Sequence, residues 1–460
     1  MPPRRPSALV LAAGVSLLTV AAAPAGAQSL SDALASAYAN NPQLLAERAQ
    51  LRVVDESVPK ALSGWRPTVQ VTGSAGNTRS QIETINGISL PGGALYQAPY
   101  QYGLSVAEPL YQGGRTVAQT HEALHQVAAE QAHLASVEQS VLLSAVTDYL
   151  NVVEAQATLD LTISNQHVFE KQREATIDRF QVGEVTRTDV AQSDSALAQA
   201  IAQRQQADGA LQVARAAYER DVGSPPGMLT APTDTVALPA SKEEALALAS
   251  SNNPDVVAAQ YNRVAAEDDV KVVRSQLLPS LSLNASVART NDELFETIRV
   301  NSESVTAQLT VPLYESGSVY ADTRAAKQTV EVRVSQFDQA RLQATESASA
   351  AWEQLKETSA NVASFESQIK ANILALQGVQ QESLVGERTV LDVLNAEQAL
   401  FQSQVSLVQA QHDEFVAKYS LVAAVGRLTA GSLGLAVPIY DPEAHLSAVR
   451  NKWIGTGTTP

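Results

Sequence analysis

The stretch RTVAQTHEALHQVAAEQAHLASVEQSVLLSAVTDYLNVVEAQATLDLTISNQHVFEKQREATIDRFQV occupies residues 115–182 and contains neither proline nor glycine. Ala, Gln, Glu, Leu and Val dominate it, and such a composition without helix breakers favours one uninterrupted α-helix. At 1.5 Å per residue this helix would be about 100 Å long, far longer than helices of ordinary globular domains. Val127, Leu134 and Val141 recur every seven residues, which predicts the narrow apolar seam of a coiled coil. The stretch therefore predicts a long strut that packs against other helices.

The chain holds a second copy of this strut and of the segments around it. Residues 318–385 contain no proline and one glycine, Gly378. Three motifs recur in the same order in both copies: Asn-Asn-Pro at 40–42 and 252–254, Pro-Leu-Tyr at 109–111 and 312–314, and Val-Gly-Glu at 182–184 and 385–387. Ordered repetition of this kind predicts that the chain is built from two copies of one structural unit.

These copies define the predicted organisation of the chain. We expect a first repeat at 28–223, a linker rich in Pro and Thr at 224–240, a second repeat at 241–431 and a C-terminal tail at 432–460. The predicted elements are strands at about 67–77, 99–110, 279–290 and 302–313, long helices at about 112–182 and 316–384, and returning helices at about 186–222 and 389–428.

Residues 1–27 are predicted to be a secretory signal peptide. Arg4 and Arg5 form its basic start, residues 8–23 its apolar core, and residues 25–27 a cleavage site of small residues. The chain has no cysteine, which excludes disulfides and thiolate metal sites. Its formal net charge of −16 argues against nucleic acid as a partner.

The four predicted strands alternate polar and apolar residues. In residues 280–287, Ser and Asn alternate with Leu, Ala and Val, the pattern of an outer-membrane barrel strand with one lipid face and one wet face. A half-exposed soluble hairpin would explain any one of these strands, but four of them on an exported chain favour the barrel. The predicted lipid-facing residues are Val69, Val71, Leu104, Val106, Leu281, Leu283, Leu309 and Val311.

Four strands cannot close a barrel by themselves, and open sheet edges are not tolerated in lipid. Two chains would supply eight strands, which form a barrel filled by its own side chains, whereas three chains would supply twelve strands and an open lumen. The sequence therefore predicts a homo-oligomer, with a trimer as the smallest one that conducts.

These features together resemble the TolC-type outer-membrane channel family over residues 30–431. The three recurring triplets carry the resemblance, with the tips VGEVTRTDV at 182–190 and VGERTVLDV at 385–393. It implies a mainly α-helical fold with a membrane β-barrel, in which a homotrimer forms a twelve-stranded barrel and a twelve-helix periplasmic tunnel. The barrel would lie in the outer-membrane lipid of a Gram-negative bacterium. It further implies docking on a periplasmic adaptor protein and an inner-membrane pump or ABC transporter, for efflux or type I secretion, without a cofactor.

The two tips carry the candidate gate residues. In each tip a Thr-x-x-Asp sequence has the spacing of a helix capping box, and capping alone would explain both carboxylates. The resemblance implies a further role as a periplasmic gate, with Asp189 paired to Arg388 and a ring of three Asp392 carboxylates. Asn395 and Ser383 depart from the family pattern, which places an acid and an aromatic residue at these positions.

The same tips are candidate docking sites for an adaptor protein. The resemblance implies that the helix ends there form the edge of a groove that receives an adaptor hairpin, although a tight turn would need similar residues. The docking candidates are Val182, Gly183, Glu184, Val385, Gly386 and Glu387.

One motif points to another class of protein. Residues 121–125, His-Glu-Ala-Leu-His, have the spacing of a zinc metallopeptidase helix. The corresponding residues of the second copy, 324–328, lack the motif, so solvated side chains on a strut are the favoured interpretation. A zinc peptidase and a periplasmic adaptor or coiled-coil scaffold therefore remain as alternatives to the export duct.

Overall fold

The computed structural model describes residues 28–81, 94–232, 236–291 and 299–458. The predicted signal peptide, residues 1–27, lies outside these residues. In chain order the helices and strands are α1 (Leu30–Asn40), α2 (Pro42–Asp55), α3 (Ser57–Leu62), β1 (Thr68–Ala75), β2 (Thr78–Gln81), β3 (Ala94–Gln97), β4 (Tyr100–Gln112), α4 (Arg115–Gln181), α5 (Arg187–Val222), α6 (Lys242–Asn252), α7 (Pro254–Ser275), β5 (Ser280–Asn291), β6 (Arg299–Thr310), α8 (Ser318–Leu384), α9 (Val390–Ala424) and α10 (Ala444–Val449).

The two struts, α4 and α8, are unbroken helices of 67 residues each. Each forms a hairpin with the helix that follows it, α5 and α9 respectively. The predicted seam residues Val127, Leu134 and Val141 are buried, and they belong to the main hydrophobic core around the middle of α4. Among the described residues, no helix is long and apolar enough to cross a membrane.

The Asn-Asn-Pro motifs join helices end to end. Asn41 caps α2 because its Oδ1 accepts from the backbone N–H of Gln43, and its Nδ2 donates to the Asp221 carbonyl in the last turn of α5 at 3.1 Å. In the second repeat, Asn253 caps α7 in the same way. Its Nδ2 donates to the Ala424 carbonyl at the end of α9 at 3.2 Å.

This junction gives each chain four long rods. Because α2 and α5 both pack along α4, while α7 and α9 both pack along α8, each pair of shorter helices continues as one rod beside a strut.

The helix α9 ends at Ala424, earlier than the predicted position of about 428. Gly426 adopts a φ of +81° there, and a Cβ on it would lie 2.5 Å from the Asn252 carbonyl oxygen, so glycine is required at this junction.

The strands form one four-stranded antiparallel sheet in the order β1-β4-β5-β6, and β2 pairs with β3 as a separate two-stranded ribbon. The ribbon was not predicted, because Gly76 and Asn77 interrupt the alternating pattern before it. In the sheet, Val69 lies opposite Val106 and Val106 opposite Ala285. A register shift between Pro109 and Tyr111 marks the end of β4. The outer strands β1 and β6 are both edges in the single chain.

The C-terminal tail folds back onto the first repeat. Helix α10 packs against α2, and the His445 Nδ1 and Asp55 Oδ2 atoms lie 2.9 Å apart in a buried pair. Earlier in the sequence, just after α9, the Ala430 backbone N–H donates to Glu138 Oε1 of α4 at 2.7 Å. These contacts tie the end of the chain to α2 and α4 of the first repeat.

Candidate channel gate and amphipathic sheet

One face of the four-stranded sheet carries most of its large apolar side chains, with the charged residues Glu108, Arg289 and Glu303 among them. Side chains alternate between the faces of a strand, and the register aligns Val69, Val106, Ala285 and Val305 across the whole sheet. By this alternation the predicted lipid-facing residues within the strands, Val69, Val71, Leu104, Val106, Leu281, Leu283 and Leu309, share one face, whereas Val311 follows the end of β6 at Thr310. Several are strongly exposed in the single chain, and Val71 is 76% exposed. Such a surface needs an apolar environment to cover it.

The opposite face is polar. The register aligns Gln70, Ser105, Ser286 and Ser304 in the row next to the valine row. The hydroxyl oxygens of Ser286 and Ser304 are 2.9 Å apart and share a hydrogen bond. The sheet therefore separates an apolar surface from a surface of small uncharged polar groups, which can be hydrated and can line a water-filled lumen.

Aromatic residues lie towards both ends of the apolar face. Tyr102 is 50% exposed near the outer end, and Tyr111 is 47% exposed at the end joined to the struts. Both positions are on the apolar side in the register. Tyrosine is enriched where a membrane-facing surface meets water, because its ring is apolar and its hydroxyl is polar.

The first tip, between α4 and α5, is a closed helix turn followed by a capping box. Gly183 has a φ of +83°, and the Glu184 N–H donates to the Arg179 carbonyl at 2.9 Å, which satisfies the end of α4. Thr186 and Asp189 then cap α5 reciprocally, with both the Thr186 N–H and its hydroxyl donating to Asp189 Oδ2. Asp189 is thus engaged within its own tip.

The second tip, between α8 and α9, repeats this geometry. Thr389 donates to Asp392 Oδ2 from its N–H at 3.0 Å and from its hydroxyl at 2.8 Å. These hydrogen bonds, and then the charge of Arg388, lower the pKa of Asp392 from its ordinary value. The Asp392 side chain is therefore ionised at neutral pH.

Arg388 pairs within its own tip. Its Nε lies 2.8 Å from Glu382 Oε2, one turn before the end of α8. The first tip has a corresponding pair between Arg179 and Glu184 at 3.1 Å. The pairing of Arg388 with Asp189 is not present in the single chain, and it stays a prediction about the assembled molecule. The sequence spacing of Glu382 and Arg388 gave no signal for this contact, because a turn lies between them.

The start of α9 packs against the hairpin of α4 and α5. Val390 and Leu394 at the start of α9 form a buried cluster with Phe169 of α4 and Ala200 of α5. Ser383 is also buried, at 7% exposure, whereas Asn395 is exposed. By contrast, the helix ends themselves are open: Val182 and Val385 are 72% and 74% exposed. The arrangement holds both turns in place and leaves their apolar ends uncovered.

The His-Glu-Ala-Leu-His motif has a structural role. His125 Nδ1 lies 2.8 Å from Asp268 Oδ2 of α7, and Lys271 Nζ lies 2.6 Å from the other oxygen of the same carboxylate. Although burial acts to raise it, these two partners lower the pKa of Asp268. Among the residues that the structure describes, no group of three His, Cys, Asp or Glu side chains could hold a metal. The motif joins two helices.

Comparison with known proteins decides the family. The sequence pattern of the family described as outer membrane efflux protein matches residues 33–223 and 245–427, and thus both repeats. This chain belongs to the outer membrane efflux protein family. Outer membrane efflux protein BepC of Brucella suis is 36% identical over 98% of this chain and 96% of its own length. Outer membrane protein TolC of Vibrio cholerae is 25% identical over 88% of this chain and 92% of its own length.

The fold of this outer membrane efflux protein has solved counterparts. The crystal structure of the Campylobacter jejuni CmeC outer membrane channel superposes with a TM-score of 0.78, at 15% identity, over 92% of this chain and 89% of that one. Family and homologues are channel proteins, so this chain is an outer-membrane export duct that extends into the periplasm and is not an enzyme. The predicted resemblance is confirmed, and the zinc peptidase and adaptor alternatives are set aside.

Proposed function

We propose that three copies of this efflux protein assemble into one passive duct, with a twelve-stranded barrel in the outer membrane and a twelve-helix tunnel in the periplasm. The observation that carries the proposal is the amphipathic sheet with its two open edges. An exposed edge presents unpaired backbone groups, which the hydrocarbon of a membrane does not tolerate.

The direction of the edge strands fits a closed ring. All three strand pairings of the sheet are antiparallel, so β6 runs opposite to β1. The edge β6 of one copy therefore pairs with β1 of the next in the same antiparallel manner as the pairs inside the chain. Three copies give twelve strands, enough for an open lumen lined by the polar face.

The helices support the same stoichiometry. Each chain supplies four rods, so three copies supply the twelve rods of a continuous tunnel below the barrel. The outer surface of α8 exposes large apolar side chains, among them Val332, Leu342 and Leu374. These residues would be covered by rods of the neighbouring copy.

The tips would carry the contact with an adaptor protein. Val182 and Val385 end their helices with exposed apolar side chains, beside the positive-φ residues Gly183 and Gly386. Two similar tips per chain would give six docking positions around the mouth of a trimer. We propose that a periplasmic adaptor binds there and links the duct to an inner-membrane pump, as part of a tripartite efflux system.

The tips would also form the gate. Three copies place three Asp392 carboxylates around one axis, and Asp392 is already kept ionised by Thr389. A ring of negative charges attracts cations and is blocked by multivalent ones. In the closed assembly, Arg388 would exchange its Glu382 partner for Asp189 of an adjacent tip, and release of that pair would open the mouth.

Conductance of the purified protein in planar bilayers tests this gate. We expect multivalent cations added on the tip side to block the pore, Asp392→Asn to abolish the block, and Asn395→Asp to strengthen it by adding a second ring. Asn395→Ala is the matched control and should leave the block unchanged. Asparagine is used at 392 because its amide oxygen can still accept from the N–H of the N-cap residue Thr389, and loss of capping costs about 1 kcal/mol by itself. Unaltered block in Asp392→Asn would place the gate elsewhere, and a folded monomer in membranes would contradict the barrel.

A further inference from the structure

The end of the C-terminal tail presents exposed apolar side chains beside the base of the sheet. Trp453 is 66% exposed and Ile454 is 91% exposed. The guanidinium carbon of Arg66 lies 4.8 Å from the centre of the Trp453 ring. Arg66 Nη1 also donates to the Lys452 carbonyl at 2.9 Å. Because Arg66 comes two residues before β1, Trp453 lies at the level where the chain enters the sheet.

The two segments that meet there carry basic residues, and each follows acidic ones, Asp55 and Glu56 in the first case and Asp441 and Glu443 in the second. Residues 57–67 contain Lys60 and Arg66, residues 444–458 contain Arg450 and Lys452, and neither segment contains Asp or Glu. The whole chain has a formal net charge of −16, so this local positive charge is unusual for the molecule. Trp65, 44% exposed, adds a second tryptophan from the first segment.

The tail is held firmly enough to present these residues at a fixed position. His445, which forms the buried pair with Asp55, lies eight residues before Trp453. Val449, which lies between His445 and Trp453 in the sequence, is fully buried. Upstream, the Tyr440 N–H donates to the Tyr38 hydroxyl at 3.0 Å. The exposed end is therefore anchored to the protein over its preceding turns, and its exposure is a property of the folded chain.

We infer that this tail anchor surface binds glycerophospholipid headgroups of the periplasmic leaflet of the outer membrane. It consists of Lys60, Trp65, Arg66, Lys452, Trp453 and Ile454. Tryptophan favours the boundary between acyl chains and headgroups, and Lys and Arg pair with the phosphates that lie there. Tyr111 is also exposed at the strut end of the sheet. The inference rests on the proposed orientation of the barrel.

The chain contains three tryptophans, Trp65, Trp352 and Trp453, which makes quenching of fluorescence a direct test. Trp352 lies on α8, 34 residues after its start at Ser318, and thus about 50 Å along the strut. Two full-length proteins, each retaining only Trp453 or only Trp352 with phenylalanine at the other two positions, would be reconstituted in phosphatidylcholine vesicles brominated near the headgroup or deep in the acyl chain. We expect loss of Trp453 emission, greatest with shallow bromine, and no loss for Trp352.

A third protein separates failure of this inference from failure of the barrel. It has phenylalanine at all three tryptophan positions and carries Val106→Trp on the apolar face. Quenching of Val106→Trp by deep bromine without quenching of Trp453 would overturn the tail inference alone, whereas no quenching of either would overturn the barrel orientation. Acrylamide then tells whether an unquenched Trp453 lies in water or under a neighbouring copy, and either result contradicts lipid binding.

The basic residues give a second test with its own control. Including phosphatidylglycerol in the brominated vesicles should increase quenching of Trp453, because an anionic surface attracts Lys and Arg. The double variant Lys60→Gln and Lys452→Gln should lose that increase. Lys356→Gln, which removes the charge of an exposed lysine on α8, should keep it. An equal response in all three proteins would contradict headgroup binding by this surface.

Discussion

At the scale of single residues, the Asn-Asn-Pro motif shows how one side chain joins two helices. The oxygen of Asn253 caps α7, and its amide nitrogen reaches the last turn of α9. Proline follows at the first position of the helix, where its missing N–H has no cost. The sequence indicated where these helices begin, but the partner carbonyl of Ala424 is 171 residues away, and no local pattern could reveal it.

We expect Asn253→Ala to lower the free energy of unfolding by about 1–2 kcal/mol, since it removes a helix cap and one hydrogen bond. Thermal unfolding of the purified protein measures the effect. Asn252→Ala is the control, because Asn252 is exposed, and it should change stability by less than about 0.5 kcal/mol. Equal losses in both variants would contradict a stabilising role for the Asn253 side chain at this junction.

A second residue-scale feature is the carboxyl pair formed by Asp148 in the middle of α4 and Asp221 at the end of α5. Burial, followed by the neighbouring Asp221 carboxyl, raises the pKa of Asp148 to about 6. Hydrogen bonds from Arg220 chiefly lower the pKa of Asp221. Arg220 Nη2 lies 3.7 Å from Asp148 Oδ2, farther than its 2.7 Å contact between Nε and Asp221 Oδ1. Asp148 is therefore the member of the pair that holds a proton.

This pair predicts a dependence of stability on pH. Unfolded Asp releases its proton near about pH 4, whereas folded Asp148 retains it to about pH 6. The folded state binds more protons between these values, so the contribution of Asp148 to the free energy of unfolding falls as pH rises through the window. Asp148→Asn should therefore gain stability relative to the unmodified protein between pH 4 and 7, as measured by thermal unfolding. A constant difference across this range would contradict the raised pKa.

At the scale of elements, the positions of proline and glycine in the sequence predicted where the long helices begin and end. The long helix was expected from about 112, and it begins at Arg115 because Gly113 and Gly114 have φ values of +61° and +82°. The period-two pattern located the four strands of the sheet. It did not indicate that β4 lies between β1 and β5, since strand order depends on how the two repeats dock.

The two faces of the sheet lead to a prediction with a matched pair of variants. Val106→Arg places a charge on the face with the large apolar side chains, in a row with Val69, Ala285 and Val305, and Glu108 lies two residues further along the same face of β4. Near the middle of a bilayer this costs about 2–4 kcal/mol. Ser105→Arg places the same charge on the polar face and should be tolerated. The measurement is the fraction of folded protein in lipid vesicles over a denaturant series, and equal losses would contradict the assignment of the faces.

At the scale of the whole molecule, contacts between distant segments hold the single chain together. The tail returns to the first repeat through the His445–Asp55 pair, and the start of α9 packs against the first hairpin through Val390 and Phe169. The sequence left the tail without a role, because its partners lie on α2 and at the base of β1. The single chain leaves the edge strands β1 and β6 unpaired on one side and the apolar surface of α8 exposed. Further copies of the chain would cover these surfaces.

The absence of cysteine allows these edges to be tested directly. We expect a chain with one cysteine on the polar face of each edge, Gln70→Cys in β1 combined in turn with Thr306→Cys or Gln308→Cys in β6, to form disulfides between copies under mild oxidation. Residues of facing strands come close enough for a disulfide only in the correct register, so one of the pairs should react best. In a closed ring of three chains, the series of cross-linked products ends at the trimer, as measured by denaturing gel electrophoresis and mass.

Each single-cysteine variant is a control and should give no such series of cross-linked products. A series that continues beyond three copies, or one that stops at two, would contradict the twelve-stranded barrel.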